Sequence, residues 1–227
     1  MLPSELQAEG AKYMSFINFG KKEIAFKLVY YGPAMCGKTT NLEQIHAAVD
    51  PNYRGELTML STRQDRTLFF DFLPLKSDVI KGFVSKFQIY TVPGQSIYNE
   101  TRKLVLRNVD GIVFVADSQW EKMEETADSF KNLQENLAEM KLKLDDLPYM
   151  LQFNKRDLPD LAPVHYLDFL LNRRENRVPY AEAVARECKG VFESLNIISK
   201  MVLGQFMKTN NLPSAELPDE ICVSAER

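Results

Sequence analysis

The stretch GPAMCGKTT, residues 32–40, constrains the fold more than any other part of the chain. An apolar run of strand length precedes it, and a helical pattern of apolar residues follows it. The stretch satisfies the pattern GxxxxGK[ST] at Gly32, Gly37, Lys38 and Thr39. Between a strand and a helix, this pattern predicts a loop of inward-pointing N–H groups around phosphates, with Lys38 on the β- and γ-phosphates and the Thr39 hydroxyl on Mg²⁺. The other loop positions expected to line the nucleotide are Ala34, Cys36 and Thr40.

Apolar runs of strand length alternate along the chain with segments whose apolar residues recur every three or four positions. The runs are IAFKLVYY (24–31), KFQIYTV (86–92), GIVFVAD (111–117) and PYMLQFN (148–154), and the periodic segments span 42–49, 123–140 and 192–206. Because the runs lack strict alternation, we expect strands buried on both faces, and the periodic segments predict amphipathic helices. Together they predict an α/β P-loop fold, with a mainly parallel central sheet, helices on both faces and ligands at the carboxyl ends of the strands.

Length and composition predict one folded domain. A chain of 227 residues with 45% hydrophobic content fills one core and is short for two. We expect residues 1–13 to form a flexible polar arm, with Met14 as an alternative start, and residues 209–227 to form a disordered polar tail. The folded domain is expected to span residues 14–208.

The composition also argues against several classes of partner. A net charge of -3 and a pI near 5.6 argue against nucleic acid, which requires a clustered basic surface. The three cysteines lack disulfide or metal-ligand spacing, which favours a reducing cytoplasm. We expect no integral membrane segment, because no apolar stretch approaches the roughly 20 residues that cross a bilayer.

The sequence NKRD, residues 154–157, follows the run PYMLQF. A carboxylate at Asp157 can accept hydrogen bonds from N1–H and N2–H₂ of guanine, groups that adenine does not offer. Asn154 and Lys155 are expected to brace the loop and the ring, and the backbone N–H of Ala185 to donate to the guanine oxygen. The alternatives are a charged turn with Asp157 as a helix N-cap, and a plain loop-to-helix junction at Ala185. We favour guanine over adenine.

Together with STRQDRTLFFDFLPL (61–75) and TVPGQ (91–95), these loops resemble the Ras-like small GTPases, and most closely the bacterial MglA family of cell-polarity switches. The similarity runs from about residue 14 to residue 208. It implies a cytoplasmic GTPase, monomeric when free, that binds GTP or GDP with Mg²⁺ and controls cell polarity and motility. It also implies a Roadblock-domain (MglB-type) activator, effectors that bind the switch regions, and recruitment to a cell pole by partners.

The resemblance assigns further site residues. Thr67 matches the threonine that completes the Mg²⁺ shell, Gly94 the glycine whose N–H binds the γ-phosphate, and Gln95 the glutamine that orients the attacking water. Arg66 matches an arginine that enters the site from the same chain and stabilises the charge of the transition state. Its alternative is a solvated residue paired with a neighbouring aspartate, Asp65 or Asp71.

The segment LFFDFLP combines a core and a partner surface in our interpretation. We expect Phe70 or Phe72 to face the core, and the alternate face of the strand to meet a partner in the GTP state.

Two positions depart from the pattern of P-loop GTPases. Thr91 stands where most have an aspartate that holds Mg²⁺ through water, so weaker Mg²⁺ binding is expected. Ala34 stands where Ras-like and MglA-like proteins have glycine, and its Cβ crowds the glutamine and arginine beside the γ-phosphate. We therefore expect slow hydrolysis. A GTP-bound scaffold with little turnover remains the alternative, and a P-loop kinase or ATPase is a third reading that NKRD argues against.

Overall fold

The computed structural model describes residues 16–61, 69–77, 83–173 and 177–212. The predicted arm, most of the predicted tail, and two predicted site residues, Arg66 and Thr67, lie outside these ranges. Within the described ranges, no helix is both long and apolar enough to cross a bilayer.

Strands and helices alternate as the sequence predicts. The strands are β1 (Phe16–Asn18), β2 (Glu23–Tyr31), β3 (Thr58–Ser61), β4 (Phe69–Ser77), β5 (Val84–Thr91), β6 (Gly111–Asp117), β7 (Tyr149–Asn154) and β8 (Tyr180–Glu182). The helices are α1 (Lys38–Ala48), α2 (Asn99–Leu106), α3 (Met123–Glu139), α4 (Val164–Leu171) and α5 (Val191–Thr209). The four predicted strand runs coincide with β2, β5, β6 and β7 to within two residues at each end.

One mixed sheet contains all of these strands. Its order is β3-β4-β5-β2-β6-β7-β8, and β1 pairs with β2 outside this path. Five adjacent strands are mutually parallel, namely β5, β2, β6, β7 and β8. The strands β1, β3 and β4 pair antiparallel with their neighbours. The carboxyl ends of the parallel strands therefore meet at one edge, where ligands bind in open α/β sheets. The predicted α/β fold with a mainly parallel sheet is confirmed.

Two apolar cores lie on opposite faces of the sheet. Side chains of α1 and α5 pack on one face, where Leu42 and Ile198 share a core with residues of β2 and β5. Side chains of α2, α3 and α4 pack on the other face, among them Leu106, Leu133 and Leu167. Helices thus cover both faces, as predicted from the alternation of elements.

Burial along the strands corrects two predictions. All residues of β6 and β7 are buried, but β5 alternates between buried and half-buried positions, so only one of its faces is fully buried. In β4, Phe70 and Phe72 lie on the same face against Tyr90, and both are only half-buried. The fully buried side chains of β4 are Leu73 and Leu75. The face of β4 that we expected to be free for a partner is therefore partly a core face.

Candidate functional site

The phosphate-loop sequence forms a tight turn between β2 and α1. Gly37 has φ 103°, and a Cβ at this position would overlap the side-chain amide of Asn154. Only glycine combines this backbone conformation with such a close approach. The N-terminal end of α1 follows immediately, so its free N–H groups and positive dipole end face the loop.

A pocket of 460 Å³ opens in front of this loop. Its lining includes Gly37, Lys38, Thr39, Thr40, Thr91 and Gly94. Five of these six residues are predicted site residues, and they come from two separate segments of the chain, the phosphate loop and the stretch that follows β5. The structure therefore brings these five predicted residues to one pocket, whereas Gly32 and Cys36 are buried in the loop and Ala34 lines an adjacent cavity.

Lys38 is buried inside the loop. Its Nζ donates to the carbonyl oxygens of Pro33 at 2.5 Å and Gly32 at 3.0 Å, and lies 3.6 Å from the Sγ of Cys36. Burial lowers the pKa of Lys38, because removal from water disfavours the charged ammonium. A phosphate bound in this pocket would supply a full negative charge opposite the ammonium.

Cys36 is also fully buried. Burial raises the pKa of its thiol, which outweighs the opposite effect of the nearby Lys38 ammonium. A reactive thiolate at the start of the helix is therefore not supported, and Cys36 acts as a packed apolar side chain of the loop.

Two buried amide side chains tie the phosphate loop to β7. Asn154 donates from Nδ2 to the carbonyl of Cys36 at 2.8 Å. Asn41 of α1 and Gln152 of β7 exchange two hydrogen bonds of 2.9 Å between their side-chain amides. These contacts fix the distance between the phosphate pocket and the NKRD loop, as a nucleotide that spans both would require.

A second pocket, of 210 Å³, lies beside the first. It is lined by Met35, Gly37, Thr40, Asn154, Lys155, Asp157, Leu158, Ala185 and Arg186. Met35 lines both pockets, with φ 59° and 88% of its side chain exposed. The two pockets thus form a continuous surface with phosphate-type chemistry at one end and the predicted base-reading carboxylate at the other.

Charged partners hold the residues of the base pocket. The Nζ of Lys155 lies 2.6 Å from Oδ2 of Asp117, which is almost completely buried at the end of β6. Asp117 also accepts the N–H of Gln119, so it braces a turn and in addition orients Lys155. Asp157 pairs with Nη2 of Arg186 at 2.8 Å.

The hydrogen-bond partner of the Ala185 backbone N–H differs from the prediction. It donates to Oδ1 of Asn154 at 2.9 Å, so it braces the loop and does not point freely into the base pocket. The next N–H along the chain belongs to Arg186, in the first turn of a short 3₁₀ helix (Ala185–Glu187). N–H groups in a first turn lack partners within the helix and are available to a ligand.

A carboxylate that the sequence patterns did not assign to the site lies next to Thr39. Oδ2 of Asp71, on β4, accepts hydrogen bonds from the hydroxyls of Thr39 at 2.6 Å and Thr91 at 2.8 Å. The Thr91 hydroxyl in turn accepts the backbone N–H of Asp71 at 2.9 Å. The strand pairing that aligns Phe72 with Tyr90 places Asp71 beside Thr91.

This donor set fits Mg²⁺ bound together with phosphates. Within the described ranges, no cluster of three or more His, Cys, Asp or Glu side chains exists that could hold a metal ion alone. Mg²⁺ usually binds through one or two protein oxygens plus substrate phosphate oxygens. Thr39 and Asp71 provide a hydroxyl and a carboxylate at the edge of the phosphate pocket, so the ion would be held by these residues and the nucleotide.

Gly94 packs directly on the backbone of Ala34. A Cβ on Gly94 would overlap Cα of Ala34 and lie 2.6 Å from its N. Gln95 is exposed and lies with Ala34 in an adjacent cavity of 380 Å³, on the side of the loop that faces α3. In this conformation the structure brings Gly94 to the phosphate pocket and leaves Gln95 in the neighbouring cavity, which Gly94 and Ala34 also line.

Comparisons with known proteins agree with this geometry. A sequence model of the Ras family matches residues 27–203 of the chain. The chain is 50% identical over 195 residues to the mutual gliding-motility protein MglA of Myxococcus xanthus (strain DK1622), covering 86% of this chain and 99% of that protein. It is 25% identical over 213 residues to the Ypt/Rab-type GTPase ypt7 of Schizosaccharomyces pombe, covering 91% of this chain and 95% of that protein.

Proposed function

The chain belongs to the Ras family of small GTPases and resembles MglA within it, and from this premise we propose that it is a GTP-binding switch that controls cell polarity and motility. The observation that supports the proposal is the pair of adjoining pockets, whose shared lining residues join the pocket of Lys38 and Thr39 to the pocket of Asp157. The similarity to a gliding-motility protein over nearly its whole length supports the biological role.

In the bound state, the loop N–H groups and Lys38 hold the β- and γ-phosphates. Binding at Lys38 requires no rearrangement of the ammonium, because the carbonyls of Gly32 and Pro33 already fix its position. Asp157 reads N1–H and N2–H₂ of guanine, and the N–H of Arg186 takes the role first assigned to Ala185, donation to the guanine oxygen. Guanine must displace Arg186 from Asp157, and the exposed side chain of Arg186 is free to move into solvent.

Thr39 and Asp71 hold Mg²⁺ with the phosphate oxygens, and Thr67 completes its shell in the GTP state. Thr91 contributes by fixing Asp71, with which it exchanges two hydrogen bonds. Mg²⁺ held there would neutralise charge on the β- and γ-phosphates.

Hydrolysis requires Gln95 to leave the adjacent cavity and reach the water beside the γ-phosphate, with Arg66 entering from the same chain. Ala34 lines the cavity that Gln95 must leave, and its Cβ narrows the space in which glutamine and arginine must meet the phosphate. We therefore propose that turnover is slow without an activator, because displacement of a catalytic group by about 1 Å can cost 100-fold in rate.

The second candidate is a GTP-bound polarity scaffold with little turnover. The close packing of Gly94 on the backbone of Ala34 favours this second candidate, because the contact lies within the chain and is present without an activator. Both candidates predict binding of guanine nucleotides, and only the first predicts that a partner accelerates hydrolysis.

For partners, we propose a Roadblock-domain protein of the MglB type as the activator and polarity or motility effectors at the switch regions. We further propose that the protein is cytoplasmic, monomeric when free, and recruited to a cell pole by these partners. The family resemblance supports these assignments.

Single-turnover hydrolysis of GTP with and without a Roadblock-domain activator tests the proposal. A switch predicts slow hydrolysis alone and a large acceleration with the activator, whereas a scaffold predicts the same low rate in both. Chromatography of the nucleotide released from the denatured protein gives a second readout: GTP indicates arrested turnover and GDP a working enzyme. Tight binding of ATP against excess GTP would instead indicate a P-loop kinase or ATPase and contradict both candidates.

A further inference from the structure

Arg102, on α2, is a buried cation that grips the loop following β5. Only 3% of the residue is exposed. Its Nε donates to the carbonyl oxygen of Pro93 at 2.9 Å, and its Nη2 donates to that of Gly94 at 2.5 Å. Two consecutive carbonyls of the loop are therefore held by one rigid guanidinium.

This grip fixes the direction of the Gly94 N–H. The carbonyl of Pro93 and the N–H of Gly94 belong to one planar trans peptide unit, in which the two groups point in opposite directions. Arg102 binds the Pro93 oxygen from the cavity that faces α3. The Gly94 N–H is consequently directed to the other side, where Gly94 and Lys38 line the phosphate pocket.

The guanidinium is itself held in place from α3 and β2. Its Nη1 donates to Oδ1 of Asn132 at 2.6 Å, and the same oxygen accepts the hydroxyl of Tyr31 at 2.7 Å. The ring of Tyr31 also faces the guanidinium at 5.5 Å, close enough for a cation–π contact. Asn136 donates to both the Tyr31 hydroxyl and Asn132 Oδ1. Arg102 thus connects the loop after β5 to α3 and β2 through hydrogen bonds and a ring contact, and so holds the loop in one position.

We propose that Arg102 is a positioning residue that sets the preference of the site for GTP over GDP. It aims the Gly94 N–H at the place of the γ-phosphate, a group that GDP lacks, so its effect is confined to the triphosphate. The inference rests on the proposed function, since it requires a γ-phosphate in this pocket.

The test measures dissociation constants of GDP and of a non-hydrolysable GTP analogue with Mg²⁺, on protein stripped of nucleotide. In Arg102→Ala, affinity for the analogue is expected to fall about 10-fold or more while affinity for GDP changes by less than about twofold, because a hydrogen bond to a charged group is lost only with the triphosphate. Arg102→Lys keeps one donor group, so it should retain more of the preference for the GTP analogue over GDP than Arg102→Ala does. Asn132→Ala is also expected to lower the preference for the GTP analogue over GDP, because the Arg102 guanidinium loses the hydrogen bond that holds it in place.

Lys103→Gln is the matched control, because Lys103 is the next residue of α2 and its ion pairs with Glu100 and Glu139 lie at the surface. It should leave both affinities unchanged. Equal losses for both nucleotides in the Arg102 variants would show a merely structural role and overturn the proposal, as would no loss at all. If Arg102→Ala does not fold, Arg102→Lys and Asn132→Ala decide by the same criterion. A wild-type protein that binds neither nucleotide would contradict the proposed function instead.

Discussion

The carboxylate of Asp71 and the hydroxyl of Thr91 form a reciprocal pair across two antiparallel strands. Asp71 accepts the Thr91 hydroxyl through Oδ2 at 2.8 Å, and Thr91 accepts the Asp71 backbone N–H at 2.9 Å. Thr91 occupies the place where most P-loop GTPases have an aspartate. The structure therefore keeps a carboxylate at this point of the site but supplies it from β4 and not from β5.

Asp71→Asn is expected to weaken Mg²⁺ binding in the nucleotide complex by about 10- to 100-fold, the usual cost of losing a group that supports a metal site. Affinity for GDP without Mg²⁺ should change little, because Asp71 does not contact the base pocket. The rate of GDP release over a Mg²⁺ titration measures both quantities.

The double variant Asp71→Thr with Thr91→Asp moves the carboxylate back to β5 and is the matched control. Partial recovery of Mg²⁺ affinity in this variant is expected. An unchanged Mg²⁺ dependence in Asp71→Asn would mean that Asp71 only joins the strands.

Ala34→Gly is expected to raise the single-turnover rate of GTP hydrolysis by about 100-fold, because removal of the Cβ widens the space through which Gln95 must reach the γ-phosphate. GDP affinity should be unchanged, since the Cβ does not contact the base pocket. Rapid-quench measurement of GDP formation from preloaded GTP gives the rate. A rate equal to that of the wild type would show that Ala34 is not what limits hydrolysis.

Asp157→Asn is expected to lower affinity for GDP by about 100-fold, because two hydrogen bonds to a charged acceptor are lost or replaced by weaker ones. An amide can accept N1–H and donate to an oxygen at position 2, so the variant should gain affinity for xanthosine diphosphate. Calorimetric titration with both nucleotides measures the change. Arg186→Ala, which removes the ion-pair partner of Asp157, should keep the preference for guanine; loss of that preference would place base recognition on Arg186.

Cys36 is expected to resist alkylation by a maleimide in the folded protein. Burial raises its pKa above the ordinary 9.0, so the reactive thiolate is scarcer at pH 8 than in a free cysteine, and the labelling rate should keep rising as pH passes 9. The unfolded chain, with the ordinary pKa, loses its proton first, so the contribution of Cys36 to stability is complete below pH 9 and decreases above it.

Mass spectrometry after timed labelling at pH 8 distinguishes Cys36 from the half-buried Cys188. Labelling of Cys188 at least about 10-fold faster is expected, since its thiol is less enclosed. Rapid labelling of Cys36 in the folded protein would contradict the packed, inert role described here.

The sequence predicts the elements whose signal is local. The runs that become β6 and β7 are buried on both faces and are therefore mostly apolar, with Gln152 as a buried polar residue of β7, and this composition makes them easy to recognise. The phosphate loop and NKRD are short motifs with fixed chemistry, and the parallel sheet places them side by side as predicted.

Contacts between distant segments could not be predicted. The pairing of Asp71 with Thr91 depends on the register of β4 against β5, which one sequence does not specify. The helix α2 has only eight residues, too few for a clear periodic pattern, so Arg102 received no role. The backbone N–H of Ala185 was expected to donate to the guanine oxygen, but it donates to the side chain of Asn154.

Isothermal calorimetry with GDP and with a non-hydrolysable GTP analogue, in millimolar Mg²⁺, tests the central claim most directly. Because backbone N–H groups and Lys38 hold the phosphates and Asp157 reads the base, the account predicts saturable one-to-one binding of both guanine nucleotides and much weaker binding of ADP. Absence of binding heat with either guanine nucleotide at several temperatures, on nucleotide-free folded protein, would contradict it.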